Sequence, residues 1–565
     1  MNHSGILDLV PAEIRNQWIQ EGIYPNKSLY ELFCEHVQQN PAKPAVISFG
    51  QTIIYAELQH KVCCLAASFR ALGVVAGDVI AYQLSNSWYH CAIDLAAAAL
   101  GAIVAPFPPG RGRLDIQSLL SRCDARVIIV EQTSVDMGCC ELIESLRTAL
   151  LSLRILIVDG ESRDGWHTMN ALLQSEPIQS SQLPTVDPNS PARFLISSGT
   201  ESDPKWIAYS HNALAGGRGR FLQRIHPDRS TFRGLYLMPL GTAFGSTATF
   251  GILSWLGGSV LVLRQFDVSA AIRAIAELKP THIFGVPTML QRIVADPALA
   301  EIDTSSLIAI VSGGAKIDEA SIRRCTEAFG CGFISLYGSA DGVNCHTTLE
   351  DNLETIVHKI GRPNPEVCSI KIVDDQKQEV TPGCTGEIVA RGPITPMQYV
   401  NNPDLDALYR DKDGWVYTGD LGLIDSDGYL VLTGRKKDII IRGGVNISPA
   451  QIENIAASHP AVVSAVCIPV ADEDLGQRIC LCLVMQDGAE RPSLSQFTRY
   501  LQKQGLEKNK LPEYLRYFRQ LPLGPAGKID KKQLTVELES VQFKHSPDNM
   551  NMRSLSGGLI NAGTQ

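Results

Sequence analysis

Apolar residues run along the chain in two alternating rhythms. Residues 55–72 repeat them at helical spacing and stop at Gly73, whereas 79–84, 127–130 and 155–158 are short β-branched runs with helical stretches between them. Residues 231–264 again mix strands with a helix, and 283–286 and 308–312 read as buried strands. This alternation predicts α/β layers, with helices covering the faces of sheets. Further on the rhythm changes. Residues 421–425 and 429–433 alternate around Ser426-Asp427-Gly428, a hairpin signal, with a strand over 438–442 and a Gly443-Gly444 turn behind it. Ser448-Pro449-Ala450-Gln451 has the form of a helix start, with an N-cap Ser, Pro at the first helical position and Gln three residues on. Two strands over 462–470 and 478–485 and a helix over Leu494–Lys503 complete a small α+β region. The expected division is a large domain over 1–434, a small one over 435–540 and a polar tail over 541–565. No fixed-period repeat or low-complexity segment is present.

Composition narrows the class. At 565 residues, 45% hydrophobic and 19% charged, the chain has the makeup of a globular protein rather than a disordered, collagenous or coiled-coil one. Fifty Lys and Arg against 59 Asp and Glu leave a net charge of −9 and no basic tail, which argues against a dedicated nucleic-acid binder while leaving room for a local polyphosphate groove. The longest nearly uncharged apolar stretch, 95–107, is too short to span a bilayer, and the N-terminus lacks a basic region followed by an apolar core. A cytoplasmic protein is expected. The 15 cysteines are odd in number, form no C-x-x-C, and find no completing set in His36, His60 or His346, so they read as reduced, mostly buried thiols.

Four motifs carry candidate chemistry. Ser197-Ser198-Gly199-Thr200-Glu201-Ser202-Asp203-Pro204-Lys205 follows an apolar run, and its hydroxyls, backbone N–H groups and closing lysine suit a polyphosphate; an ordinary surface loop would look similar. Asp420 and Arg435 flank the hairpin. With Asp425 opposite Tyr429, Gly434 returns opposite Asp420, and the two charged groups emerge at one end as a ribose pair or a plain surface ion pair. Lys528 sits in the Gly- and Pro-bearing turn 524–530, which could carry one ammonium into a site. Tyr337-Gly338-Ser339-Ala340-Asp341 offers an aromatic, a bare turn and a carboxylate, either for a base and Mg²⁺ or as a strand-to-loop turn.

In order and spacing these motifs resemble the adenylate-forming superfamily of acyl-CoA synthetases, adenylation domains and luciferases. The blocks TIIYAEL (52–58), SSGTESDPK (197–205), GVPTML (285–290), SGGA (312–315), YGSAD (337–341), YTGD (417–420), GRKKDIIIRGGVNISPAQIE (434–453) and GPAGKIDKKQL (524–534) match, spanning 29–534. A finer likeness to ligases of alicyclic or aromatic acids rests on ESDPK and the opening 18–33. The resemblance implies a large N-terminal domain of layered α/β subdomains with a β-barrel-like part, then a small mobile α+β domain. It implies activation of a carboxylic acid by ATP to an acyl-adenylate, with diphosphate released and the acyl group then passed to a thiol. Coenzyme A or a carrier protein's phosphopantetheine would be the acceptor, and a homologue that binds without catalysis is the remaining alternative.

By the same resemblance, Ser197, Ser198, Gly199, Thr200 and Lys205 would hold the phosphates, and Thr200 and Asp341 the Mg²⁺. Gly313, Gly314, Ala315, Tyr337 and Gly338 would enclose adenine, and Asp420 and Arg435 would bind ribose. Lys528 would bridge carboxylate and AMP, with Lys437 as the hinge for rotation of the small domain. Arg442, Gly443, Gly444 and Asn446 would line the thiol channel; Gly241, Thr242, Ala243, Phe244, Gly285 and Gly313 the acid pocket. Departures stand out: Asp341 where Glu is usual, and Ser202 and Trp206 where glycines are common. Gly241 and Thr242 replace an aromatic or His gate. Ala243 replaces the Asn of hydroxybenzoate-activating relatives, which disfavours 2-hydroxybenzoate. The small residues Gly241, Thr242, Ala243, Ser246 and Thr247 either leave a roomy acid pocket or pack against their neighbours.

Overall fold

The structure, a computed structural model, describes residues 5–132, 138–197, 205–226, 228, 231–315, 317–442, 445–472, 475–523 and 529–539. They fall into two compact units that part between Ile439 and Ile440.

In the first unit two eight-stranded sheets carry most of the chain. One runs in the order Gln398–Tyr399, Lys205–Ser210, Pro191–Ser197, Ile103–Pro106, Val79–Gln83, Val127–Glu131, Ile155–Asp159 and His167–Thr168; its first three strands pair antiparallel and the rest parallel. The other has a parallel centre made of Gly332–Gly338, Ala309–Gly313, His282–Gly285, Arg233–Tyr236, Ser259–Val262 and Pro44–Ser48, with an antiparallel strand at each edge. Strand periodicity sorts the side chains. Ile80 and Tyr82 join the core shared by both sheets, while Val79 and Ala81 face the opposite side, towards the helices Arg113–Arg122 and Gly138–Leu146.

The helix Trp88–Leu100 lies in the shared core with all but its first two residues buried. Its alanine run explains the apolar stretch 95–107: small side chains let the helix pack on every side, Gly101 closes it in a left-handed conformation, and Ile103–Pro106 follows as a buried strand. Its one acidic side chain, Asp94, accepts from Tyr82 Oη at 2.7 Å and pairs with Arg193 at 2.5 Å, all deeply buried. The part of this unit expected to be barrel-like is a four-stranded antiparallel sheet, Ser369–Val373, Gly386–Arg391, Val416–Ile424 and Leu430–Arg435.

The second unit is α+β. Its five-stranded sheet centres on Gly476–Met485, which pairs antiparallel with Val462–Asp472 and parallel with Tyr514–Phe518. Helices Pro449–Ala457 and Leu494–Lys503 cover one face through Ile452, Phe497 and Leu501, and Lys531–Glu539 packs on the other through Leu534 and Leu538. Cys480 and Cys482 point together into that second core. Throughout the chain the cysteines are free thiols, buried except for Cys34, Cys63, Cys139 and Cys384.

Three local expectations are corrected. The strand placed at 438–442 is only Ile440–Arg442; a one-turn 3₁₀ helix, Lys436–Asp438, precedes it, with Lys436 drawn onto Glu387 and Asp375. Ser448 does stand before the helix with Pro449 at its first position, but its side chain makes no cap bond, because the Gln451 N–H is taken by the Ser448 carbonyl. In the hairpin, Thr433 is an extra residue on the returning strand. It shifts the register so that Gly434 lies opposite Leu421 and Arg435, not Gly434, opposite Asp420.

Candidate active site

The parallel strands Ala309–Gly313 and Gly332–Gly338 end side by side, at the carboxyl edge where open α/β sheets place their ligands. From that edge Tyr337 reaches the antiparallel sheet: its hydroxyl donates to Asp420 Oδ2 at 2.7 Å, and Arg435 Nε donates to Asp420 Oδ1 at 2.8 Å. The bulge makes this possible by setting Arg435 directly across from Asp420. Burial, and then the Asp420 charge, push the Tyr337 phenol well up, so it stays a donor. Burial works against the Arg435 charge, but Asp420 more than offsets it and the guanidinium is held above its ordinary value. Both Asp420 oxygens are thus aimed by neighbours, and Arg435 remains half-exposed.

The glycines beside this trio are tightly constrained. A Cβ at Gly313 would stand 2.7 Å from the Leu336 carbonyl oxygen, and Gly314 takes a positive φ of 83°. Ala315 is exposed next to them, and Gly338 sits close to the Val343 carbonyl.

At the other end of the same turn, Asp341 Oδ1 accepts a hydrogen bond from Tyr399 Oη at 2.6 Å. The Tyr399 ring lies 6.0 Å from that of Tyr409, and Lys205 Nζ stands 5.2 Å from the Tyr409 ring centre. Lys205 and Asp341 therefore border one aromatic platform. Lys205 pairs directly with Ser197 across the two strands that flank the hydroxyl-rich loop. Ser198, Gly199, Thr200 and Ser202, and the side chain of Ser197, lie outside the described residues. Trp206 is buried. One residue beyond Lys205 it points to the opposite sheet face, where it is 1% exposed, packs near Phe194 and donates to the Leu119 carbonyl at 2.9 Å.

The residues expected on the acid side form a tight turn. Thr242 Oγ1 donates to the Pro239 carbonyl at 2.8 Å and accepts from the Gly245 N–H at 3.0 Å. Gly241 lies against the Phe107 backbone, and Phe244 meets Phe284 edge to face at 6.0 Å. Ser246 and Thr247 are buried: Ser246 bonds the Ala243 carbonyl and Thr247 the Tyr236 hydroxyl, so these two pack rather than line a pocket. Gly285 turns its side-chain position to Leu237 and Leu290, which leaves only its backbone for the site.

Three buried side chains that the sequence reading did not single out hold this turn. Asn86 donates to the Met238 carbonyl at 3.1 Å and accepts from the Leu240 N–H at 2.8 Å. Arg193 donates to the Leu240 carbonyl at 3.2 Å, and Arg218 to that of Ala243 at 3.1 Å. A signal existed for two of these groups, since Asp94, the partner of Arg193, and Arg218 are charges inside otherwise uncharged apolar or glycine-rich runs. Tyr399 had no comparable signal.

The remaining expected residues lie near the break between units or outside the described residues. Lys437 is in the 3₁₀ turn just before the break between units, and its side chain, like that of Asn446, is not described. Arg442 pairs with Glu513 inside the second unit. Gly443, Gly444 and Lys528 lie outside the described residues.

Fold and site together define a two-unit α/β protein with the Tyr337–Asp420–Arg435 group at a sheet's carboxyl edge. Comparison with known proteins makes the class specific. Residues 33–400 match the model of the AMP-binding enzyme family, and residues 451–528 that of the AMP-binding enzyme C-terminal domain. The chain belongs to this adenylate-forming family. A medium-chain fatty-acid–CoA ligase of Escherichia coli is 29% identical over 535 residues, 93% of each chain. A vibriobactin-specific 2,3-dihydroxybenzoate–AMP ligase of Vibrio cholerae is 30% identical over 94% of this chain and 97% of its own. Among solved structures, the amide bond synthetase McbA of Marinactinospora thermotolerans is similar at a TM-score of 0.79 and 26% identity, over 90% of this chain and 99% of that one. Among the described residues no helix is long and apolar enough to cross a membrane.

Proposed function

We propose that the chain, an ATP-dependent ligase of this family that activates a carboxylic acid as its adenylate, then forms a thioester with coenzyme A, and that its acid is alicyclic, aromatic or of medium chain length. The observation that supports the site assignment is Asp420, whose two oxygens are already aimed by Tyr337 and Arg435 as a pair of ribose hydroxyls requires. Asp341 and Lys205 would take the phosphate end. Mg²⁺ commonly uses one or two carboxylates, with phosphate oxygens and water completing its shell. A single Asp341 carboxylate with one oxygen held by Tyr399 fits that need, so the shortening from Glu is compatible with a metal. The ion, when bound, neutralises phosphate charge.

In the first half-reaction an acid oxygen forms a bond to the α-phosphorus while the bond from that phosphorus to the diphosphate oxygen breaks, and diphosphate leaves with the electron pair. Lys528 would supply a positive charge between the approaching anions. Lys437 would act as hinge for the second half-reaction, in which Arg442, Gly443, Gly444 and Asn446 line the thiol's path. Diphosphate release across a panel of aryl, alicyclic and fatty acids tests the reading, and no release with any acid from folded protein would reject it. Lys528→Ala should lower adenylate formation by orders of magnitude yet spare CoA-dependent use of preformed adenylate; equal loss of both would reject two alternating sites. The likeness to an AMP ligase favours a second reading, with a carrier protein's phosphopantetheine as acceptor. Turnover with CoA against turnover with a loaded carrier separates them.

A further inference from the structure

Arg218 is a buried cation that joins two parts of the site. It lies on the π-helix Ala213–Gly219, in a wide-turned form that recurs near functional sites, and is 8% exposed. Nη2 donates to the Ala243 carbonyl of the acid-side turn at 3.1 Å, while Nη1 donates to the Ser339 carbonyl and to the Tyr209 hydroxyl, each at 3.3 Å. Tyr209 in turn donates to the Ala340 carbonyl at 2.9 Å, and the guanidinium carbon stands 5.3 Å from its ring centre. Ser339 Oγ accepts from the Asp341 N–H at 3.1 Å, so the segment that Arg218 holds is also the one that places Asp341.

We propose that Arg218 is a positioning residue that couples the acid-side turn around Ala243 to the nucleotide-side turn Ser339–Asp341. A planar guanidinium suits the task because its two outer nitrogens point in different fixed directions, and one rigid group sets the separation of two carbonyls. Burying a cation against carbonyls is costly, and a residue kept only for packing would not need the charge. The inference rests on the proposed acid and nucleotide assignments. If they hold, the gap between acid oxygen and α-phosphorus depends on Arg218, and adenylation tolerates little error there: misplacement by about 1 Å costs on the order of a hundredfold in rate. Occupancy of one turn should then favour occupancy of the other.

The test uses the full chain with Arg218→Lys, Arg218→Met and Tyr209→Phe. Acid affinity is measured with and without a non-hydrolysable ATP analogue, ATP affinity by equilibrium dialysis, and turnover by acid-dependent diphosphate exchange. In the wild type the analogue should tighten acid binding by at least about fivefold. Arg218→Met should bind ATP within about twofold of wild type, lose most of that linkage, and exchange diphosphate at least about tenfold more slowly, with Arg218→Lys between the two. Absent linkage in an active wild type overturns the inference. So does an Arg218→Met protein that keeps linkage and rate, or one that loses ATP and acid affinity equally with linkage intact, as a merely structural role would give. Should Arg218→Met fail to fold, Tyr209→Phe decides: reduced linkage supports the coupling and unchanged linkage overturns it. A wild type with no acid-dependent exchange overturns the ligase reading and this inference with it, whereas an active wild type matched by Arg218→Met overturns only the inference.

Discussion

Asp420 accepts from two donors, one on each oxygen: Tyr337 on Oδ2 and the half-exposed Arg435 on Oδ1. Tyr337→Phe removes one donor and leaves packing intact, so the KM for ATP should rise several-fold with little change in unfolding midpoint. A neutral hydrogen bond contributes about 0.5–1.5 kcal/mol, and initial-rate kinetics over an ATP series reads the change. The contrasting case is Asp94–Arg193, buried on both sides. Arg193→Met alone leaves an uncompensated carboxylate and should cost about 3–5 kcal/mol in urea unfolding, much of it recovered by Asp94→Leu in the same chain. These residues differ in legibility. Asp420 and Arg435 were visible because a Ser-Asp-Gly turn fixes which ends of a hairpin meet; their direct opposition was not, because the bulge at Thr433 depends on what the strand packs against. Arg218 and Tyr399 act through backbone and side chains far away in sequence, and nothing beside them in the chain announces their partners.

Among elements, most strands and helices appeared where periodicity put them, and Leu494–Lys503 coincides with its expected limits. The π-helices Ala213–Gly219 and Ala248–Leu256 were not expected in that form, because their wide turns arise from packing rather than from any residue preference. Gly217 shows the constraint. A Cβ there would lie 2.3 Å from the Pro393 carbonyl oxygen and 2.7 Å from the Ile394 Cα, all backbone. Gly217→Ala should therefore destabilise by about 1–3 kcal/mol, read as a lower thermal midpoint, and should slow turnover because Arg218 rides on the same helix. Trp206 shows how strand alternation sorts neighbours: one residue after Lys205, it turns to the opposite sheet face and is buried there.

On the scale of the whole chain, burial also sets how stability answers to acid. His90, His211 and His282 are each pushed down to about 3 by burial, and stay neutral when folded. Unfolded, they take up protons below about 6.5. Between those limits the unfolded state binds more protons, so stability is fully present above about pH 6.5 and falls as pH drops, by on the order of 1 kcal/mol per pH unit for each histidine. Urea midpoints between pH 7.5 and 5.5 check this; a flat profile would contradict the burial of these rings.

The sequence by itself determined the alternation of strands and helices, the family and the order of the candidate motifs, because each rests on local periodicity or on short contiguous blocks. Only the tertiary structure decided which atoms meet: Tyr337 and Tyr399 on their carboxylates, Arg435 across from Asp420, Asn86, Arg193 and Arg218 on the turn around Thr242, and Trp206 on the Leu119 carbonyl. The physical reason is that such contacts satisfy buried polar groups whose partners come from distant segments, and no local pattern records the distance between strands that fold brings together.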